Sequence, residues 1–425
     1  MMGILLGLAC AAVLAGALHA GGELKRSSTL AKLILGGYAL RLFIQIFVRQ
    51  VQFFSHEAGG DSAIYEDQGR FLALLWHQTG LHYVSANQDA YIGPTSLPAN
   101  IFGLVIYFND GDTSRLGCTA LVALAAGLTA LNLYMLAVEF KAEPRTALLF
   151  AAIIYLEPAF LFYTSDMYKD GLVLCFVLGA LGSALRLGNR WSFLHAAIGL
   201  ISVWALWYVR FYLVFVTVAP LVVGSVGLGN KSTRRTVIAG IVVALAAIAL
   251  ASFTDILQMA SDRASETFLA GTSSNTRAGN ATGGSAVDFD DGGSAYGALP
   301  AKLAYTLFSP FPWQGGSIGF QLGKLDAFLW YFIVYRAYRG ARQLVREKQG
   351  RLVVMLLTFI GPCTLMYAMS MANVGLIMRQ RLVIVSATAI LAAIYKPKPK
   401  LVRALPVTTR RRPRGRLAPN PRAAA

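Results

Sequence analysis

The sequence predicts an all-α polytopic membrane protein of about eleven transmembrane helices with two large external loops, the first holding an interfacial amphipathic helix. Three observations carry that expectation. Of 425 residues, 56% are hydrophobic and 14% charged, whereas a soluble domain holds about 25% charged residues. Mean hydropathy is +0.55. The apolar residues also fall in blocks of about 18 to 22, long enough to cross a ~30 Å hydrocarbon layer as a helix.

The first block, MMGILLGLACAAVLAGALHAGG, has no basic residue ahead of its apolar run, and Lys25 and Arg26 follow it. Cleaved leaders carry basic residues first, so a retained helix with its N-terminus outside is expected. Further spans are expected at 29–51, 116–138, 146–163, 170–187, 191–208, 211–228, 235–253, 326–341, 352–370 and 380–395. The basic stretches ELKRSS, FKAEPR, RLGNR, GNKSTRR and YRGARQLVREKQGR then lie inside, and the acidic ones near 56–67, 109–112, 166–170 and 288–291 lie outside. Residues 1–395 form the integral membrane domain. Residues 396–425, rich in Arg and Pro, form a disordered cytoplasmic tail. This topology suits a multi-pass bacterial plasma membrane protein.

The formal net charge of +17 calls for no nucleic-acid partner. Cytoplasmic Lys and Arg meet anionic headgroups, each contributing about 1 kcal/mol near the surface. Cys10, Cys118, Cys175 and Cys363 all fall in expected spans, too scattered for a metal motif.

Two external segments exceed simple connections. In the first, 52–115, residues from Asp61 to Trp76 read as an interfacial helix. Ile64, Phe71, Leu72 and Leu75 share its apolar side, while Asp61, Glu66, Asp67 and Arg70 turn to water, Glu66 and Arg70 standing at i,i+4. The apolar stretch 98–108 is read as either interfacial or re-entrant. The second segment, 254–325, joins a mobile Gly/Ser/Asn/Asp-rich part to LPAKLAYTLFSPFPWQGGS, whose Pro and aromatic residues favour a rigid wall.

Ionisable groups at membrane depth are costly and mark function. The turn SDMYKDG places Asp166, Lys169 and Asp170 between two apolar runs, and Glu157 precedes it. Arg210 ends a tight external hairpin, and Arg379 and Arg381 stand at the outer end of the last span. All but Arg41, within the second span, fall near one level. Together with Asp61, Glu66 and Asp67 they are expected to form one outward cup.

Such a cup has a chemical use. Asp61, Asp166, Asp170 or Glu66 would act as general base, or hold a divalent metal as cofactor. Lys169, Arg210, Arg379 and Arg381 would clamp a phosphate. His56, His77 and His82 lack the close spacing of metal ligands. The combination suits sugar transfer from a lipid-linked donor, a polyprenyl-phosphate sugar, to a glycan, lipid or protein acceptor on the external face. A polymerase or ligase using undecaprenyl-pyrophosphate repeat units would want similar outward arginines. A flippase or transporter would instead want charges along a mid-membrane path.

The acidic first-loop stretch GGDSAIYEDQGRFLALLW, the second-loop stretch YTSDMYKDGLVLCFVLGAL and the arginine-bearing NVGLIMRQRLVIVSATAILAAIY together resemble the GT-C superfamily of membrane glycosyltransferases. That group includes protein O-mannosyltransferases and lipid A aminoarabinose transferases. The resemblance covers most of residues 29–395 as topology and short motifs. It implies that Asp61 is the first-loop base and that Asp166 or Asp170 is the second-loop acid. Lys169, Arg210, Arg379 and Arg381 would bind the carrier phosphate.

Overall fold

A computed structural model describes residues 2–22, 27–51, 61–189, 191–226, 286–287, 289–290, 294, 296–315 and 318–396. The expected span 235–253, most of the Gly/Ser-rich segment, His56 and the tail beyond Lys396 lie outside the described residues. Within the described residues the elements are helical and there is no β-strand. One isolated antiparallel bridge joins Ala286 to Asn373.

In chain order the helices are α1 (Met2–Ala20), α2 (Ser28–Val51), α3 (Asp61–Thr79), α4 (Ser96–Tyr107), α5 (Arg115–Glu139), α6 (Pro144–Leu156), α7 (Pro158–Tyr163) and α8 (Asp170–Asn189). They continue with α9 (Phe193–Val209), α10 (Tyr212–Val226), α11 (Leu299–Phe308), α12 (Ile318–Arg346), α13 (Gly350–Met369) and α14 (Val374–Ile394). By length and composition six can cross a membrane: α1, α2, α5, α8, α13 and α14. Four more, α4, α6, α9 and α10, are apolar but shorter. The expected span 326–341 lies within the longer α12, and 146–163 is divided between α6 and α7.

That division has a local cause. A residue before proline avoids the helical region, and Glu157, ahead of Pro158, has ψ 128°. Breaking the helix strands a carbonyl and an N–H that the hydrocarbon cannot satisfy. Two distant side chains satisfy them. Arg41 of α2 donates through Nη2 to the Tyr155 carbonyl at 2.7 Å, and Asp326 Oδ2 of α12 accepts from the Ala159 N–H at 3.2 Å. Arg41 also donates to the Gly37 carbonyl and to Thr164 Oγ1, lies 4.0 Å from the Tyr155 ring centre, and is wholly buried. Its charge is structural: it pins the kink to α2.

The core is organised around α14, of which 89% of the apolar stretch is buried. A helix apolar on all sides belongs in an interior, and α14 is packed by α12, α6, α13, α8, α5, α11 and α7. Small residues let backbones approach closely. A Cβ added at Gly340 of α12 would overlap the Leu391 carbonyl oxygen of α14. On the periphery α9 leaves Phe193, Leu194, Leu200, Ile201 and Trp204 exposed, as a lipid-facing helix would.

In the first loop, α3 packs on α4. The buried stripe of α3 is Tyr65, Glu66, Gly69, Leu72, Ala73 and Trp76, so Leu72 is buried and Asp67 and Arg70 are exposed as expected, whereas Glu66 is buried and Ile64 exposed, the reverse of expectation at those two positions. The reason is the pairing with α4. Gly69 and Gly103 meet backbone to backbone, and a Cβ at Gly69 would lie 3.2 Å from the Gly103 nitrogen. That crossing sets which side of α3 turns inward.

Candidate functional site

Five of the singled-out residues converge from four segments of the chain. Asp61 opens α3 and Asp170 opens α8, both in first turns, where a carboxylate meets the positive end of the helix. Lys169 precedes Asp170, and Arg210 occupies the turn between α9 and α10. Arg379 lies in the second turn of α14. That helix starts at Val374, earlier than the span expected from 380, because Asn373 caps it by accepting from the Gly375 and Leu376 N–H groups.

Arg379 is the centre of the cluster. Its Nε donates to Asp170 Oδ2 at 2.5 Å and its Nη1 to Asp61 Oδ2 at 2.6 Å. Arg210 Nη2 reaches Asp170 Oδ1 at 3.3 Å. The Tyr163 and Tyr168 rings flank the Arg379 guanidinium, each centre 5.2 Å away. Asp170, Arg210 and Arg379 are buried, whereas the Asp61 side chain is 41% exposed. Of these four, Asp61 is the most exposed.

Lys169 Nζ lies 3.4 Å from Thr95 Oγ1 and 5.7 Å from the centre of the Tyr65 ring. Three cations therefore stand around two carboxylates. Two guanidinium nitrogens, Arg210 Nη1 and Arg379 Nη2, are buried with no hydrogen-bond acceptor. Leaving such donors unmatched costs about 1–3 kcal/mol each, more when charged. Among the described residues the arrangement is short of one anion.

Electrostatics follow the same geometry. Burial pushes the Lys169 ammonium down to about 7, helped by Arg210 and Arg379 and opposed by Asp61 and Asp170. For Asp61 burial acts upward, but Arg379, with Lys169 and Arg210, outweighs it and holds the carboxyl below its ordinary value. Beside Asp61 opens a cavity of about 160 Å³ lined by Tyr65, Gln68, Ile92, Gly93 and Thr95 among others. Gln68 holds its rim by donating to the Tyr91 and Ile92 carbonyls. Asn100 clamps Val84 by bonds to both its N–H and its carbonyl.

The remaining expected site residues lie elsewhere. Glu66 is bound to Arg70 at 2.8 Å and to Arg115 at 2.5 Å, in an ion triad of its own. Asp166 lies in the field of Arg115 and Glu66, accepts from the Met167 N–H, and is pushed above its ordinary value chiefly by burial. Arg381 leaves α14 on another side. It donates to the Leu307 and Ser309 carbonyls and lies in the field of Glu157 and Asp326. Among the described residues no group of three His, Cys, Asp or Glu side chains could hold a metal ion. The carboxylates of the cluster are already bound by guanidiniums, a donor set that does not fit a divalent metal.

Sequence reasoning missed Arg115, Asp326, Thr95 and the tyrosine pair. Ser114 capping α5 marks Arg115 as a first-turn residue, a signal present in the chain. Compared with protein-family models, curated proteins and solved structures, the chain matches none of them.

Proposed function

We propose that this protein is a membrane transferase that takes a sugar from a polyprenyl-phosphate carrier and passes it to an acceptor on the external face. The observation that carries the reading is the uncompensated positive charge: Arg210 and Arg379 present buried, unmatched N–H groups beside Lys169 and the half-exposed Asp61. Charge-assisted hydrogen bonds from guanidiniums suit a phosphate. Among the described residues, the exposed Asp61 side of the cluster is where a headgroup would enter.

In this reading Asp61 accepts the proton of the acceptor hydroxyl as that oxygen attacks the anomeric carbon. The bond from that carbon to the carrier phosphate oxygen breaks, and its electron pair leaves on the phosphate, held by Arg210, Arg379 and Lys169. Asp170 positions both arginines and does not touch the reacting atoms. The cavity of about 160 Å³ beside Asp61 would receive a single sugar ring.

The two guanidiniums would also span a diphosphate, so the test compares donors. Purified protein in nanodiscs is given polyprenyl-phosphate and polyprenyl-diphosphate sugars, and transfer to acceptor is measured. Asp61→Asn should lower transfer by about 10²–10⁴-fold while donor still binds. An Asp61→Asn protein that transfers at the wild-type rate would sink the proposal. Turnover of the diphosphate donor alone would favour the polymerase or ligase reading.

A further inference from the structure

A second ionic centre lies on the opposite side of α14 and takes no part in the transfer described above. Its members are Glu157 at the α6–α7 break, Asp326 on α12 and Arg381 on α14, exposed by only 4%, 3% and 2%. Glu157 lies in the field of Asp326, and both carboxyls lie in that of the one guanidinium. Arg381 Nη1 is committed to the Leu307 and Ser309 carbonyls, and none of its nitrogens is within 4.0 Å of either carboxylate. Asp326 Oδ2 is occupied by the Ala159 N–H. Asp326 Oδ1 and Glu157 Oε2 are buried and accept nothing. Tyr331, the other titratable group that Arg381 faces, donates to the Phe308 carbonyl.

Two carboxylates against one guanidinium leave a net negative charge on three almost wholly buried side chains. A buried charge without a partner either finds a counter-ion or is neutralised by a proton. No further cation faces this centre among the described residues, and the bond from Ala159 brings Asp326 to the α6–α7 break two residues beyond Glu157. We propose that Glu157 and Asp326 together bind one proton at neutral pH, forming a proton-binding centre that holds the α6–α7 break against α12 and α14. The proton comes from water and returns to it, so the centre switches between a neutral triad and one carrying a single negative charge. The titration belongs to the pair and not to either residue.

The test uses the full chain in nanodiscs and does not measure transfer. Infrared difference spectra across a pH titration should show a protonated-carboxyl C=O band at pH 7 that disappears at higher pH. Glu157→Gln or Asp326→Asn, each near-isosteric, leaves one acid for one guanidinium, so either substitution should abolish that band. Wild-type thermal stability should fall as pH rises through the same range, with the slope lost in both variants. A wild-type spectrum lacking the band at pH 7 would overturn the proposal even if neither variant folds. So would a band unchanged in both variants, or a stability that follows sodium concentration at fixed pH, which would make the centre a metal-cation site.

Discussion

Lys169 is the residue whose protonation an incoming anion would change. Its ammonium titrates at about 7, first because it is buried and then because Arg210 and Arg379 repel it. An incoming phosphate cancels that repulsion and raises the pKa, so binding near pH 8 should draw a proton from buffer. Calorimetry of a polyprenyl phosphate in buffers of different ionisation enthalpy should show that uptake, and affinity should decline above pH 7. Lys169→Met should remove the uptake and weaken binding about tenfold, ~1.4 kcal/mol. The stability sign is opposite to that of the buried carboxyl pair. Because the unfolded chain holds this proton up to about pH 10.4, Lys169 penalises folding fully below pH 7, and the penalty fades as pH rises through that window. At this scale the sequence exposed the ingredients but not their grouping. Arg379 and Arg381 read as one clamp, yet residues two apart on a helix face nearly opposite ways. Arg379 meets an aspartate 318 positions earlier, a pairing that no local pattern encodes.

Among elements, close helix crossings make the sharpest demands. Gly340→Ala should force α12 away from α14 by driving a methyl into the Leu391 carbonyl, costing about 1–3 kcal/mol. Gly361→Ala in α13 meets no neighbouring atom within 4 Å and should be neutral or slightly stabilising. Thermal unfolding of the two variants in the same detergent checks the contrast. Helix existence was legible because apolar runs of membrane length have few alternatives. Helix ends were less so. Pro158 stood visible inside the expected span 146–163, but what makes a break tolerable there is Arg41 and Asp326, which lie 114 and 167 positions from the groups they satisfy. Asn373 ahead of α14 was a readable cap, and it places Arg379 inside the helix.

For the whole molecule, composition was sufficient to indicate the membrane class, and the six long apolar helices agree with it. The proposed function adds sidedness. Asn87 and Glu143 are both exposed, on loops that the charge pattern assigns to opposite faces. In a cysteine-free background, Asn87→Cys should react with an impermeant maleimide on intact cells and Glu143→Cys only after permeabilisation. The reverse pattern would move the Asp61 cluster to the cytosol, away from the donor the proposal requires.

Arg379 and Arg381 grow from one rigid rod yet grip different neighbours, one the openings of α3 and α8, the other the chain after α11. A twist of that rod loosens or tightens both grips at once. The two anchorages, on nearly opposite sides, together fix how that one helix is turned about its own axis.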